Sequence, residues 1–167
     1  MENCTIKWYR FNDAAKVPVK DFKAAGFDIY TTEPITIPPH CCALLPTGLG
    51  MIISDGWWFM AFDRGSTGSK GLHVHCGVID NDYRGEIFIC LENTNDYPAV
   101  IGDFTKAEVT EDKKGKKELH YPISKGIAQL IPVPQPSVST RPCSQEEWDK
   151  SCEESKRGSG KLGSSGK

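Results

Sequence analysis

Hydrophobic and polar positions alternate with a period of two over short stretches, and glycine or proline interrupts them every few residues. Cys4 to Arg10 is the first such stretch, with Ile6 and Trp8 on one side and Lys7 and Tyr9 on the other, as in a half-buried strand. Ala24-Ala25-Gly26 leads into a second stretch, Phe27-Asp28-Ile29-Tyr30. Four prolines punctuate the apolar pieces between Pro34 and Pro46, and the Asp55-Gly56 turn separates Gly48 to Ile53 from Trp57 to Phe62. Val78-Ile79 and Ile87 to Leu91 flank Asn81-Asp82 and are expected to form a hairpin. Phe104 to Val109 and Leu119 to Ile123 flank a charged run with a central glycine and suggest a second, exposed one. Lys125 to Val133 is a buried-looking strand. No helical periodicity of ten residues occurs before Ser144, where Ser144-Gln145-Glu146-Glu147 is a capping-box pattern opening a short helix through about Glu154. The fold class expected is all-β, a barrel or sandwich spanning 1–143, with a short helix over 144–155 and a glycine-rich tail over 156–167.

At 167 residues and 18.5 kDa, with 38% hydrophobic residues, the chain suits one domain with its own core. The formal charge of −2 and the lack of a basic stripe argue against a nucleic-acid backbone as partner, so a nucleotide would have to be held by a few placed cations. No apolar run approaches the ~20 residues of a membrane span, and the first ten residues lack a signal-peptide core, so a soluble intracellular protein, cytoplasmic or nuclear, is expected. Seven cysteines without a repeating spacing read as reduced thiols. His73-Val74-His75-Cys76 places two imidazoles on one strand face, but without a partner at zinc-ligand spacing it does not make a metal site.

Chemistry concentrates in four places. In the hairpin Gly77 to Ile87, Asp80 stands at a strand end, where a buried carboxylate can hold and polarise a water. Tyr83 adds a flat apolar face and Arg84 a planar cation. A polar hairpin in which Asp80 caps its own turn is the competing reading. Asp63 to Leu72 combines Arg64 with the hydroxyls of Ser66 and Thr67 and several glycines; it can cradle an anion, or be a surface loop. Asp28 at its strand start is a turn acceptor or a site acid. Gln129, an amide inside an apolar strand, must be hydrogen-bonded, as a structural bridge or as a site residue. By composition the tail is a disordered segment, and its spacing fails the phosphate-loop pattern.

Taken in order, these segments resemble the five motifs of the trimeric deoxyuridine triphosphatases. Ala25-Gly26-Phe27-Asp28 is similar to the first motif, Arg64-Gly65-Ser66 to the second, and Gly77-Val78-Ile79-Asp80-Asn81-Asp82-Tyr83-Arg84-Gly85-Glu86 to the third. Gly126-Ile127-Ala128-Gln129-Leu130 is similar to the fourth, and the tail from Arg157 to the fifth, R-G-x-G-G-F-G-S-T-G. The resemblance implies a jelly-roll-like distorted β-barrel, a homotrimer with sites assembled from several subunits, and Mg²⁺-dependent conversion of dUTP to dUMP and pyrophosphate, which lowers dUTP and supplies dUMP for dTMP synthesis. It assigns Asp80 and Gln129 to the attacking water and Asp28, through water, to the magnesium-bound triphosphate. Arg64, with Ser66 or Thr67, falls to phosphate, the hairpin backbone from Gly77 to the uracil, and Tyr83 to the deoxyribose. The arm would bring Arg157, Ser164 and Ser165 to phosphate and Leu162 to the base. The chain departs from the pattern at Gly65, where a serine is usual, at Gly126, where many relatives are basic, and at Lys161 and Leu162, which replace a glycine and a stacking aromatic. His75 and Cys76 replace small or amide-bearing residues and are expected to narrow the pocket. The segment 96–126 is longer than the family usually needs, which marks 107–120 as a solvated insertion or a protein-binding arm. A dCTP deaminase is the nearest rival, but Cys90 stands where that group has its glutamate. A nucleotide sensor with little turnover is another.

Overall fold

A computed structural model describes residues 3–21 and 23–155. The chain divides into two compact units, Met1–Pro136 and Ser137–Lys167, so residues 137–143 group with the helix rather than with the strands. In the first unit the strands are β1 (Ile6–Arg10), β2 (Phe27–Ile29), β3 (Ile35–Ile37), β4 (Cys41–Pro46), β5 (Leu49–Ile53), β6 (Trp57–Phe62), β7 (Leu72–His75), β8 (Val78–Ile79), β9 (Phe88–Asn93), β10 (Ala99–Gly102), β11 (Glu108–Glu111), β12 (Lys117–Pro122) and β13 (Ala128–Pro134). They pair as four small sheets, in the orders β1-β5, β11-β12-β10-β3, β2-β13-β6-β8 and β4-β9-β7. No described helix is long and apolar enough to cross a membrane.

The expected alternation builds the core. Along β9, Ile89, Leu91 and Asn93 point inward and Phe88, Cys90 and Glu92 outward. Ile29, Leu45, Phe59, Ile101, Leu119 and Leu130 join them with no exposed surface. Trp8 stacks on Phe59 at 5.9 Å and meets Phe27 edge-on at 6.2 Å, which anchors β1 to the barrel. Asn93 is one of four buried polar residues among the described ones, with Thr31, Thr47 and Thr67. Its amide nitrogen donates to the carbonyls of Ile37, Pro38 and Tyr97, which removes the cost of burying it.

The structure corrects three expectations of the sequence. First, β8 and β9 do not pair with each other. β8 pairs with β6, matching Phe59 to Ile79, whereas β9 lies between β4 and β7. The connecting loop is pulled apart by its own side chains: Asn81 donates to carbonyls of Ile53, Ser54 and Trp57, and the Gly48 N–H donates to Glu86. Second, Arg64 is followed by a one-turn helix, α1 (Gly65–Gly68), rather than an open loop. Third, the charged segment is exposed only on one side. Its hairpin β11-β12 forms as expected, but β12 also pairs in parallel with β10, which buries Leu119 and Tyr121 completely. Leu119→Ala should therefore cost ~2–5 kcal/mol, whereas Lys114→Ala at the exposed tip should stay within about 0.5 kcal/mol of the parent. Urea unfolding of the two variants separates a core strand from an appended arm.

In the second unit, α2 (Gln145–Glu154) begins at the capping box read from the sequence. The Glu147 N–H donates to the Ser144 hydroxyl at 3.2 Å and the Ser144 N–H to the Glu147 carboxylate at 2.8 Å. Arg141 adds a fork of two hydrogen bonds to Glu147. That guanidinium, followed by the Ser144 N–H, lowers the Glu147 carboxyl to about 2.

Candidate active site

The first cluster is built around Arg64. Its Nε and Nη2 donate to the two carboxylate oxygens of Asp28, both at 2.7 Å. Its Nη1 donates to the Gly126 carbonyl at 3.1 Å and to the Ser66 hydroxyl at 3.0 Å. Tyr121, fully buried, donates to the same carbonyl at 2.9 Å, so the Ser66 proton goes to the Tyr121 oxygen at 3.0 Å. Burial opposes the Arg64 charge, but the hydrogen bonds and charge of Asp28, with Tyr121, outweigh it and raise the guanidinium above its ordinary pKa. The result is a fixed cation at the barrel surface. Gly126 is a glycine because a Cβ there would sit 3.1 Å from both the Arg64 stem and Asp28.

Several expected roles change in this geometry. Asp28 is first the anchor of Arg64, with 38% of its side chain exposed for water to reach. Thr67 is buried; its hydroxyl accepts from the Arg64 N–H and donates to the Arg64 carbonyl, closing the helical turn. Ser66 donates to Tyr121. Neither hydroxyl offers a free proton to an anion, whereas Gly65 faces open space, with nothing within 4 Å of where a Cβ would stand.

Gln129 lies on β13 opposite Asp28 and Phe62. Its amide nitrogen donates to the Asp63 carbonyl at 2.8 Å, while the Asp63 side chain takes the Val74 N–H at 2.6 Å and pairs with His73 at 2.8 Å. Gln129, Phe62, Asp63, Val74 and Gly77 line a cavity of about 510 Å³. Gly77 is held there by backbone: it accepts from the Ala61 N–H at 2.7 Å, and a Cβ would lie 2.6 Å from the Ala61 carbonyl oxygen.

Beyond Gly77, a second cavity of about 180 Å³ is lined by Cys76, Val78, Asp80, Tyr83, Ile87 and Phe88. Asp80 is exposed rather than buried, and its carbonyl accepts the Tyr83 N–H at 3.2 Å. The Tyr83 hydroxyl donates to the Glu86 carbonyl at 2.8 Å, and the ring lies so close over Gly85 that a Cβ there would be 2.6 Å from the phenol oxygen. Two hydrogen bonds therefore hold Tyr83 where it lines the cavity. Arg84 donates to the carbonyls of Asn81 and Tyr83 and stiffens the loop. His75 does not narrow this cavity: its ring turns to Glu92 at 2.6 Å, leaving Cys76 as the residue at the wall.

The structure thus brings Asp28, Arg64 and Ser66 together, and Asp80 with Tyr83, while Asp80 and Gln129 line different cavities. Arg157, Leu162, Ser164 and Ser165 lie outside the described residues. Among the described residues no three His, Cys, Asp or Glu side chains converge as a metal cage. Tyr121, Asp63 and Glu86 escaped the sequence reading. Tyr121 had a signal in its alternation with Leu119, and Asp63 in preceding Arg64, but neither spacing names a partner.

The dUTPase family profile matches residues 13–104. The chain is 33% identical to the deoxyuridine 5'-triphosphate nucleotidohydrolase of Candida albicans over 165 residues, which covers 98% of this chain and 89% of that one. Its fold matches the dUTPase of Staphylococcus bacteriophage 80alpha with dUPNHPP, at TM-score 0.73 and 22% identity over 96% of this chain and 97% of that one. It also matches a mutant dUTPase from phage phi11 of S. aureus that coordinates a structural Mg(II) ion, at TM-score 0.68 and 20% identity over 84% and 97%. Sequence and architecture agree across nearly the whole length, and the chain belongs to the dUTPase family.

Proposed function

We propose that this chain hydrolyses dUTP to dUMP and pyrophosphate, at sites that several subunits of a homotrimer complete. The observation that carries the proposal is the cavity in which Asp80 stands beside the Tyr83 face, both held by the loop that Asn81 and Glu86 fasten to the barrel. Tyr83 is held with its phenol end against Gly85, so a deoxyribose packs on it where a 2′-hydroxyl would clash. The uracil meets the backbone beyond Gly77. The Asp80 carboxylate accepts a proton from the water as its oxygen attacks the α-phosphorus. The bond from that phosphorus to the bridging oxygen breaks, and pyrophosphate leaves with the electron pair.

Gln129 and the Arg64 cluster serve the phosphate end. Because Asp80 and Gln129 line different cavities of one chain, the site is completed by apposing the Asp80 loop of one subunit to the Arg64 and Gln129 face of another. Arg64 supplies fixed positive charge, with the exposed backbone at Gly65 in place of a serine hydroxyl, and Gln129 orients the water. Magnesium carried on the triphosphate would supply charge neutralisation, and Asp28 would hold it through water. The arm 156–167 would add Arg157, Ser164 and Ser165 to phosphate and Leu162 to the base. Seven free thiols fit a reducing cytoplasmic or nuclear compartment.

The test is pyrophosphate release from dUTP, UTP, dCTP and dTTP with Mg²⁺. Turnover confined to dUTP is expected, and Tyr83→Ala should raise UTP turnover relative to dUTP by about tenfold or more. Tight dUTP binding with no turnover would overturn the enzymatic reading and leave a nucleotide-binding protein.

A further inference from the structure

We propose that Cys76 and Cys90 form a reversible disulfide that distorts the Tyr83 cavity and makes the site sensitive to peroxide. This rests on the reading of that cavity as the nucleoside pocket.

Strand register gathers the thiols. Cys90 faces outward from the middle of β9, opposite Leu44 of β4 and His75 of β7, and Cys42 lies opposite Glu92, one outward position further along. Cys76 follows the last residue of β7 with φ 53°, a left-handed conformation that a non-glycine residue adopts at a cost. In a continued strand its side chain would face away from that of Cys90. With the turn, its thiol comes back toward the side of the strand that carries Cys90, near enough to act on it electrostatically, as does that of Cys42. All three are unbridged.

Geometry chooses between the two partners. Cys42 and Cys90 are diagonal neighbours on antiparallel strands, where backbones stand roughly 7–8 Å apart, beyond ordinary disulfide range. Cys76 sits on a turn next to the residue paired with Cys90, so its backbone can approach. It is also exposed, whereas Cys90 is partly covered, and burial foremost, then the neighbouring thiols, holds the Cys90 thiol above its ordinary pKa. Peroxide therefore reaches Cys76 first. The Cys76 sulfur is oxidised to the sulfenic acid as peroxide is reduced, with release of water; the Cys90 sulfur then attacks it, the S–S bond forms, and a second water leaves.

The disulfide acts on the site because Cys76 is part of the cavity wall. The next residue, Gly77, is already clamped to Ala61 with no space to move closer. Drawing Cys76 toward β9 therefore displaces the wall between Cys76 and Val78, which faces Asp80 and Tyr83.

The reduced full-length chain should be treated with hydrogen peroxide, alkylated without reduction, and followed by intact mass, peptide mapping and dUTP turnover. The expected result is loss of two hydrogens, a Cys76–Cys90 linked peptide, and a fall in turnover on the order of tenfold or more that dithiothreitol reverses. Cys90→Ser should keep the turnover of the reduced protein and lose the sensitivity; Cys42→Ser should keep both. No disulfide, a disulfide to another cysteine, or the expected disulfide with unchanged turnover would overturn the proposal. A reduced chain that does not hydrolyse dUTP would overturn the functional reading alone, since mass spectrometry still scores the disulfide and calorimetric binding of dUPNHPP before and after oxidation scores its effect on the cavity.

Discussion

Asp80→Asn is expected to lower dUTP turnover by ~10²–10⁴ and to leave the urea midpoint of the protein where it was. The two halves of this expectation have separate origins. Asp80 is exposed, and the hydrogen bond that shapes its turn uses the main-chain carbonyl, which asparagine keeps. The loop is fastened by other groups, the Asn81 amide and the Glu86 carboxylate. The substitution therefore removes a proton acceptor from the cavity wall and little else. Substrate affinity should change less than kcat, because the amide still fits the space beside Tyr83. A variant that turns over at the parent rate would remove Asp80 from the mechanism. One that loses turnover and stability together would make it a structural residue.

Arg64→Ala should lose both stability and activity. The guanidinium joins its own α1 turn, through Ser66, to two segments distant in sequence: β2 through Asp28 and the chain just before β13 through the Gly126 carbonyl. A fully buried ion pair broken on one side costs ~3–5 kcal/mol. Asp28 is 38% exposed, so water recovers part of this and about 1–3 kcal/mol is expected. The Gly126 carbonyl keeps its bond from Tyr121 and is not orphaned. Losing a fixed donor at the phosphate end should lower kcat/KM by a further ~10²–10³. Arg64→Lys separates charge from shape. An ammonium cannot make the planar two-bond contact to Asp28 while also reaching Gly126 and Ser66, so it should recover stability only in part and activity less. Full activity in the lysine variant would show that charge alone suffices. Urea melts and initial rates on the same preparations decide between these outcomes.

The absence of a phosphate-facing proton on Ser66 and Thr67 also bears on Gly65. Thr67 closes the α1 turn onto the Arg64 backbone, and Ser66 relays from Arg64 to Tyr121, so both hydroxyls position the arginine. The open space at Gly65 leaves the backbone there accessible, and in the proposed reading a phosphate would approach it directly.

Features that depend only on neighbours along the chain were legible in the amino-acid pattern. Period-two alternation marked the strands, since successive side chains of an extended backbone point to opposite sides. The Ser144 and Glu147 cap was legible because its partners are three residues apart. The order of the candidate motifs singled out Arg64, Asp80, Tyr83 and Gln129 as candidates, since residue type and local spacing are all that such motifs use. Tertiary structure decided everything that depends on register. Val78-Ile79 and Ile87 to Leu91 look like two arms of one hairpin, yet each finds its partner in another strand, because Asn81 and Glu86 bond to the β4–β5 and β5–β6 connections rather than within the loop. Asp28 and Arg64 are 36 residues apart, and Tyr121 is 55 from Ser66. No local pattern encodes those pairings, which arise only when the core side chains set the sheets at one register and bring the hydrogen-bonding groups within reach. The same holds for Cys76, which a left-handed turn after β7 sets beside the residue that pairs with Cys90.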